Sequence, residues 1–255
     1  MPGATGWLDT GAVPPEARCL LVMMPYAGAM ALPVAALRAG LPPDVAVLPL
    51  HLPGHGTRAG EPLLDQPAQL IDGALAAVRE LPRLPLVLCG YSMGARLAYE
   101  VAARLVGTDR PVAGLIACCA RGPHSGTGHP AVSHLPPDRF LAAAVDIGLA
   151  APELARLPDV GDLVGALHAD MRVVETFPVA CHAPLPVPAV VIGARSDWLV
   201  PEPALRGWDR VFAAPATHLR VAGGHLAIQT STTEFVHTVA EGLAAVRAAG
   251  ERSGW

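Results

Sequence analysis

Apolar residues fall along this chain in short, mostly continuous runs separated by stretches with helical spacing. The runs cover 18–24, 45–50, 86–89, 112–118, 187–192 and 219–221. Strands that are apolar at nearly every position are covered on both faces. Between and after them, apolar residues recur at three- and four-residue intervals over 31–39, 68–81, 93–105 and 233–248. Strands alternating with helices predict an α/β fold with a mostly parallel central sheet and helices on both faces.

The rhythm breaks over 122–183. Gly, Pro and His dominate its first part, and helical patterns follow over 138–149, 152–157 and 160–177. An ordinary helical connection between two strands is one reading. About sixty residues is long for such a crossover, which favours an inserted helical lid. The expected division is a core of 1–121 and 184–255 with a lid of 122–183. The Gly- and Pro-rich residues 1–16 read as a loose lead-in.

Composition narrows the class. The chain has 255 residues, 52% hydrophobic and 16% charged, which suits one sizeable core and excludes disorder. Net charge is −4 with no Lys/Arg run, so nucleic acid is not an expected partner. The five cysteines (Cys19, Cys89, Cys118, Cys119 and Cys181) sit mostly in apolar runs without a C-x-x-C. They read as reduced, buried thiols rather than a disulfide framework or zinc site. No signal-peptide pattern opens the chain. The uncharged stretch 19–37 is interrupted by Pro25, Gly28 and Pro33, so no membrane span is expected. A cytoplasmic protein follows.

The run Leu86-Val87-Leu88-Cys89 leads into Gly90-Tyr91-Ser92-Met93-Gly94, and helix formers follow. A strand, then G-x-S-x-G, then a helix is the nucleophile elbow of α/β-hydrolases. The sharp turn exposes the serine, the glycines remove colliding side chains, and the helix N-terminus favours developing negative charge.

A serine hydroxyl needs a base, and in this fold the partners follow in the order acid, then histidine. The run 187–192 ends in a loop carrying Asp197, and Leu219-Arg220-Val221 ends in Gly223-Gly224-His225. Both positions lie at the catalytic edge of the sheet. Asp209 is a weaker alternative acid. His218 begins a strand and His237 lies in a helix, so neither suits the base. Ser92, His225 and Asp197 therefore read as nucleophile, base and orienting acid. The base must be neutral for attack, so activity is expected to rise through the histidine range near ~6.5. Backbone N–H groups of Met93 and of Ala27, in the loop after the first strand, are the expected oxyanion donors.

Together these motifs resemble the type II thioesterases, the stand-alone editing enzymes of polyketide and nonribosomal peptide assembly lines. Pro25-Tyr26-Ala27-Gly28 is similar to the family's P-x-A-G loop. Leu52-Pro53-Gly54-His55-Gly56-Thr57-Arg58, with Glu61-Pro62 behind it, is similar to L-P-G-R-x-x-R. Gly90 to Ala95 with Ala98-Tyr99-Glu100-Val101-Ala102 is similar to the elbow and its helix. Leu167-His168-Ala169-Asp170 is similar to an L-x-A-D segment late in the lid, and Gly223-Gly224-His225 to the terminal G-G-H. The resemblance runs from about Cys19 to Leu243. Departures are Tyr91 for the usual His, His55 where Arg is frequent, Ala29 for a second glycine, and Leu226-Ala227 where aromatics are usual.

The resemblance implies the same triad and oxyanion donors, and hydrolysis through an acyl-serine intermediate. The implied partner is an acyl or peptidyl carrier protein whose phosphopantetheine arm bears the acyl group. No cofactor or metal of the enzyme's own is implied, and a monomer is expected. Tyr26, Tyr91 and Leu226 are candidates for lining the substrate space. Trp198 and Trp208 fit either a site entrance or apolar packing, and Arg58, Arg96 and Arg121 either a carrier contact or solvated surface. Two other readings stand beside it: an esterase or acyltransferase of the same fold acting on a small acyl ester, and a hydrolase-like binding protein without turnover.

Overall fold

The computed structural model describes residues 6–9, 11, 13–156, 160–179 and 181–253. Six strands form one sheet: β1 (Cys19–Met24), β2 (Val45–Pro49), β3 (Leu86–Tyr91), β4 (Gly114–Cys118), β5 (Ala189–Ala194) and β6 (Thr217–Val221). Their order is β2-β1-β3-β4-β5-β6, and every neighbouring pair is parallel. The helices are α1 (Val34–Gly40), α2 (Pro67–Arg79), α3 (Met93–Leu105), α4 (Pro137–Asp146), α5 (Gly161–Thr176), α6 (Glu202–Arg206), α7 (Ala227–Thr230) and α8 (Thr232–Ser253). Among the described residues, no helix is long and apolar enough to cross a membrane.

Parallel strands with both faces covered explain the continuous apolar runs. Along β1, Leu20, Val22 and Met24 face the layer containing α2 and α3, while Cys19, Leu21 and Met23 face the layer of α1 and α8. All six are buried, and each aliphatic side chain so placed contributes roughly 1.5–3 kcal/mol.

The order reverses between β1 and β3. The chain leaves β1 for β2 on one side, then returns to build β3 to β6 on the other. At such a switch point the loops beyond the two strand ends diverge and leave a crevice. The loop after β1 and the turn after β3 meet there.

Two expectations shift. The Gly/Pro-rich start is not loose where it is described: Trp7 is 2% exposed, packed against Gly73 of α2 and under the Arg58 guanidinium. Its carbonyl accepts the His51 N–H at 2.8 Å. The pattern at 152–157 is a single 3₁₀ turn at Pro152–Arg156, and Leu157 lies outside the described residues. Between β4 and β5, helices α4 and α5 build a separate apolar cluster around Phe140, Ala144, Leu167 and Met171.

Candidate active site

Ser92 sits between β3 and α3 at φ 52°, a region that non-glycine residues seldom adopt. The flanking glycines permit it. A Cβ on Gly90 would strike Gly94 and Ala95 backbone, and one on Gly94 would strike the Met24 and Pro25 carbonyls. The turn is thus pressed against the end of β1 with no room for side chains. The Ser92 N–H donates to the Cys118 carbonyl at 2.8 Å, which ties the elbow to the end of β4.

Two further loops converge on the hydroxyl. Ser92 Oγ lies 3.0 Å from His225 Nε2, and His225 Nδ1 lies 2.8 Å from Asp197 Oδ2. The other Asp197 oxygen accepts the N–H groups of Leu199 and Val200 at 3.0 and 3.2 Å. A carboxylate can only accept, so Nδ1 carries the proton and Nε2 offers its lone pair to the hydroxyl. Gly223, at φ 92°, lets the chain turn after β6, and its carbonyl accepts the Ser196 N–H at 2.9 Å. The acid and histidine loops are thereby stitched together.

A small cavity of about 60 Å³ opens beside these groups. Ala27, Ser92, Met93 and His225 line one side, and Leu149, Met171 and Val174 of the 122–183 stretch line another. Met93 is the first residue of α3, where an N–H has no intrahelical acceptor. Cys119 also lines the cavity, but burial pushes its thiol up to about 12, which leaves no thiolate to compete as nucleophile.

Tyr26, Tyr91 and Leu226, expected to line the substrate space, do not line this cavity. They pack in the layer of α1 and α8. The reason is strand alternation: Tyr91 follows Cys89 by two residues and shares its face, away from the layer of α3. Tyr91 instead braces the loop that carries His225. Its hydroxyl donates to the His225 carbonyl at 2.6 Å and accepts the Ile228 N–H at 3.3 Å.

The alternative residues are occupied elsewhere. Asp209 and His218 bind each other at 2.8 Å, and His237 is exposed on α8. Trp208 is fully buried, with its ring N–H on the Ala120 carbonyl, whereas Trp198 is 62% exposed beside Asp197. Arg58 forms a bidentate pair with Glu61, Arg96 lies over Phe177, and Arg121 donates to the Gly126 and Leu199 carbonyls. Each of the three has an internal partner.

Sequence reasoning missed one buried cluster. Asp170, 1% exposed on α5, accepts the Gly28 N–H at 2.7 Å and lies 3.0 Å from His55 Nε2. The two motifs that contain His55 and Asp170 carry no signal of their contact. Among the described residues, no group of three or more His, Cys, Asp or Glu is arranged to hold a metal.

A family model described as a thioesterase domain matches residues 20–242. The chain is 28% identical over 241 residues to AMB antimetabolite synthetase AmbE of Pseudomonas aeruginosa, covering 93% of this chain and 11% of that protein. It is 30% identical to a probable cadicidin biosynthesis thioesterase of Streptomyces griseus, covering 90% of this chain and 63% of that one. The chain thus spans less than two thirds of either relative. Among solved structures, the type II thioesterase BorB from the borrelidin biosynthetic cluster superposes with a TM-score of 0.79 at 25% identity, covering 93% of this chain and 96% of that one.

Proposed function

The chain belongs to the thioesterase domain family, and from that premise we propose that it hydrolyses acyl groups from the phosphopantetheine arm of an acyl or peptidyl carrier protein, as a stand-alone type II editing enzyme. The observation that carries the reading is the unbroken hydrogen-bonded chain Asp197–His225–Ser92 opening on a cavity. Relatives named for antimetabolite, cadicidin and borrelidin biosynthesis support the assembly-line setting.

The chemistry follows from the geometry. Ser92 Oγ attacks the thioester carbonyl as His225 Nε2 takes its proton. The carbonyl oxygen becomes an oxyanion facing the Ala27 and Met93 N–H groups, each donor of this kind being worth roughly 3 kcal/mol. Collapse breaks the C–S bond, and the imidazolium returns its proton to the departing thiol. Water, deprotonated by the same histidine, then cleaves the acyl-serine and regenerates the hydroxyl. Asp197 holds the ring and its tautomer throughout. The phosphopantetheine belongs to the substrate. In this reading 122–183 form a lid on a core of 1–121 and 184–255, and the enzyme works as a cytoplasmic monomer without membrane or nucleic acid.

The test is mass-spectrometric release of acyl groups from a loaded carrier protein. Wild type is expected to release free acid, and Ser92→Ala to be slower by about 10⁴-fold or more. Intact acyl carrier alongside brisk hydrolysis of oxygen esters would overturn the reading, as would capture of the acyl group by an added alcohol or amine in preference to water.

A further inference from the structure

We propose that Asp170 and His55 are positioning residues for the oxyanion loop, and that loss of the His55 proton releases this loop and sets an alkaline limit on activity. The inference rests on the oxyanion role given above to Ala27. It concerns the residues that hold Ala27 in place.

Three segments distant in sequence meet at one carboxylate. Asp170 Oδ2 accepts the N–H of Gly28, the residue directly after Ala27, at 2.7 Å. It also contacts His55 Nε2 at 3.0 Å, and His55 Nδ1 lies 2.9 Å from the Pro53 carbonyl. Gly28 has φ 76°, and the Leu167 side chain, one turn before Asp170, fills the space where a Cβ would stand. Leu167 and Asp170 share a face of α5. That face clamps the loop from above through packing and a charge-assisted hydrogen bond.

The geometry sets the protonation of His55. Both ring nitrogens face acceptors, a carbonyl and a carboxylate. A neutral imidazole has only one N–H and would point a lone pair at one of them. The arrangement is complete only when both nitrogens donate. Burial by itself lowers the pKa of His55, but the hydrogen bond and charge of Asp170, with the hydrogen bond to the Pro53 carbonyl, outweigh it and hold the value above that of an ordinary histidine. The second Asp170 oxygen is buried with no hydrogen-bond partner, and among the described residues the ion pair recorded for this carboxylate is with His55. Nearby titratable groups are engaged elsewhere. His51 contacts Thr57, Arg58 is paired with Glu61, and Arg172 of α5 is paired with Asp65.

The direction follows. A histidine pKa raised by folding contributes fully below the ordinary histidine value, and the contribution is lost as pH rises through the raised value. Above it the Asp170 carboxylate is buried without a compensating charge and one His55 nitrogen turns a lone pair toward an acceptor, a costly arrangement relieved when α5 and the Gly28 loop part and water reaches the carboxylate.

The experiment follows the rate of Ser92 labelling by a fluorophosphonate, and of hydrolysis of an acyl-N-acetylcysteamine thioester, across pH. In wild type both rates are expected to fall on the alkaline side. His55→Arg, whose cation does not titrate, should abolish that fall and leave the acid limb in place. Asp170→Asn should lower kcat by about tenfold or more with KM within about twofold, because an oxyanion donor acts in the transition state. An alkaline fall that persists in His55→Arg, or is absent from wild type, overturns the inference. So does an NMR titration of wild type in which the His55 ring titrates at or below the ordinary histidine value, and this measurement needs no variant to fold. Labelling with the expected profile but no thioester hydrolysis would sink the thioesterase reading and leave this inference standing.

Discussion

Tyr91 shows how much one side chain can do without touching substrate. Its hydroxyl joins the carbonyl of His225 to the N–H of Ile228, bracing the loop that presents the proposed base. Burial pushes its phenol far above the ordinary value, so it stays a donor at any working pH. Tyr91→Phe keeps the ring and its edge contacts with Tyr26 and Phe235 but leaves two polar groups without this partner. A stability loss of about 1–3 kcal/mol is expected, or roughly 2–12 °C in Tm by calorimetry. The lost brace should also lower kcat more than it raises KM. An unchanged Tm would show that water replaces the hydroxyl at no cost. The sequence marked Tyr91 as unusual without revealing its role, because the face a strand residue takes depends on register. Ser92, Asp197 and His225 were legible because each stands within five residues of the end of an apolar run. The contact of His55 with Asp170 was not, since 115 positions separate two residues that share no periodicity.

Among the elements, the elbow is the most tightly specified. The Gly94 Cα lies so close to the Met24 and Pro25 carbonyls that an added methyl meets backbone, which cannot swing aside. Gly94→Ala is therefore expected to cost more than about 2 kcal/mol in urea unfolding. Gly165 in the middle of α5 is the contrast: a methyl there meets nothing nearer than the Leu63 side chain at 3.8 Å. Gly165→Ala should stabilise by about 0.5–1 kcal/mol through helix propensity. Equal effects at the two sites would refute the packing account. The long elements could be read from periodicity alone, and α3 begins and ends where its pattern does. Strand edges were less legible where proline intervenes. The run 187–192 becomes Ala189–Ala194 because Pro188 lacks an N–H for the ladder, although its carbonyl still accepts from Leu115. The short helices α6 and α7 escaped notice because one turn leaves no period to detect.

Across the molecule, the sheet and the 122–183 stretch are held by different means. The sheet is sandwiched between two large apolar layers, whereas α4 packs within the small cluster around Phe140. Helix α5 is better tied. Met171 and Val174 reach the cavity, Arg172 pairs with Asp65, and Asp170 grips Gly28 and His55. The cavity beside Ser92, about 60 Å³, is walled in part by this stretch through Leu149, Met171 and Val174. Fewer ties to the rest of the molecule hold α4 than α5. In hydrogen exchange, amides of Pro137–Asp146 should therefore exchange well before those of β1, β3 and β4, with the middle of α5 between them. Raising pH through the His55 titration should bring α5 toward the behaviour of α4, after correction for the intrinsic pH dependence of exchange. Protection in α4 equal to that of the sheet would mean that the stretch is a fixed wall of the cavity.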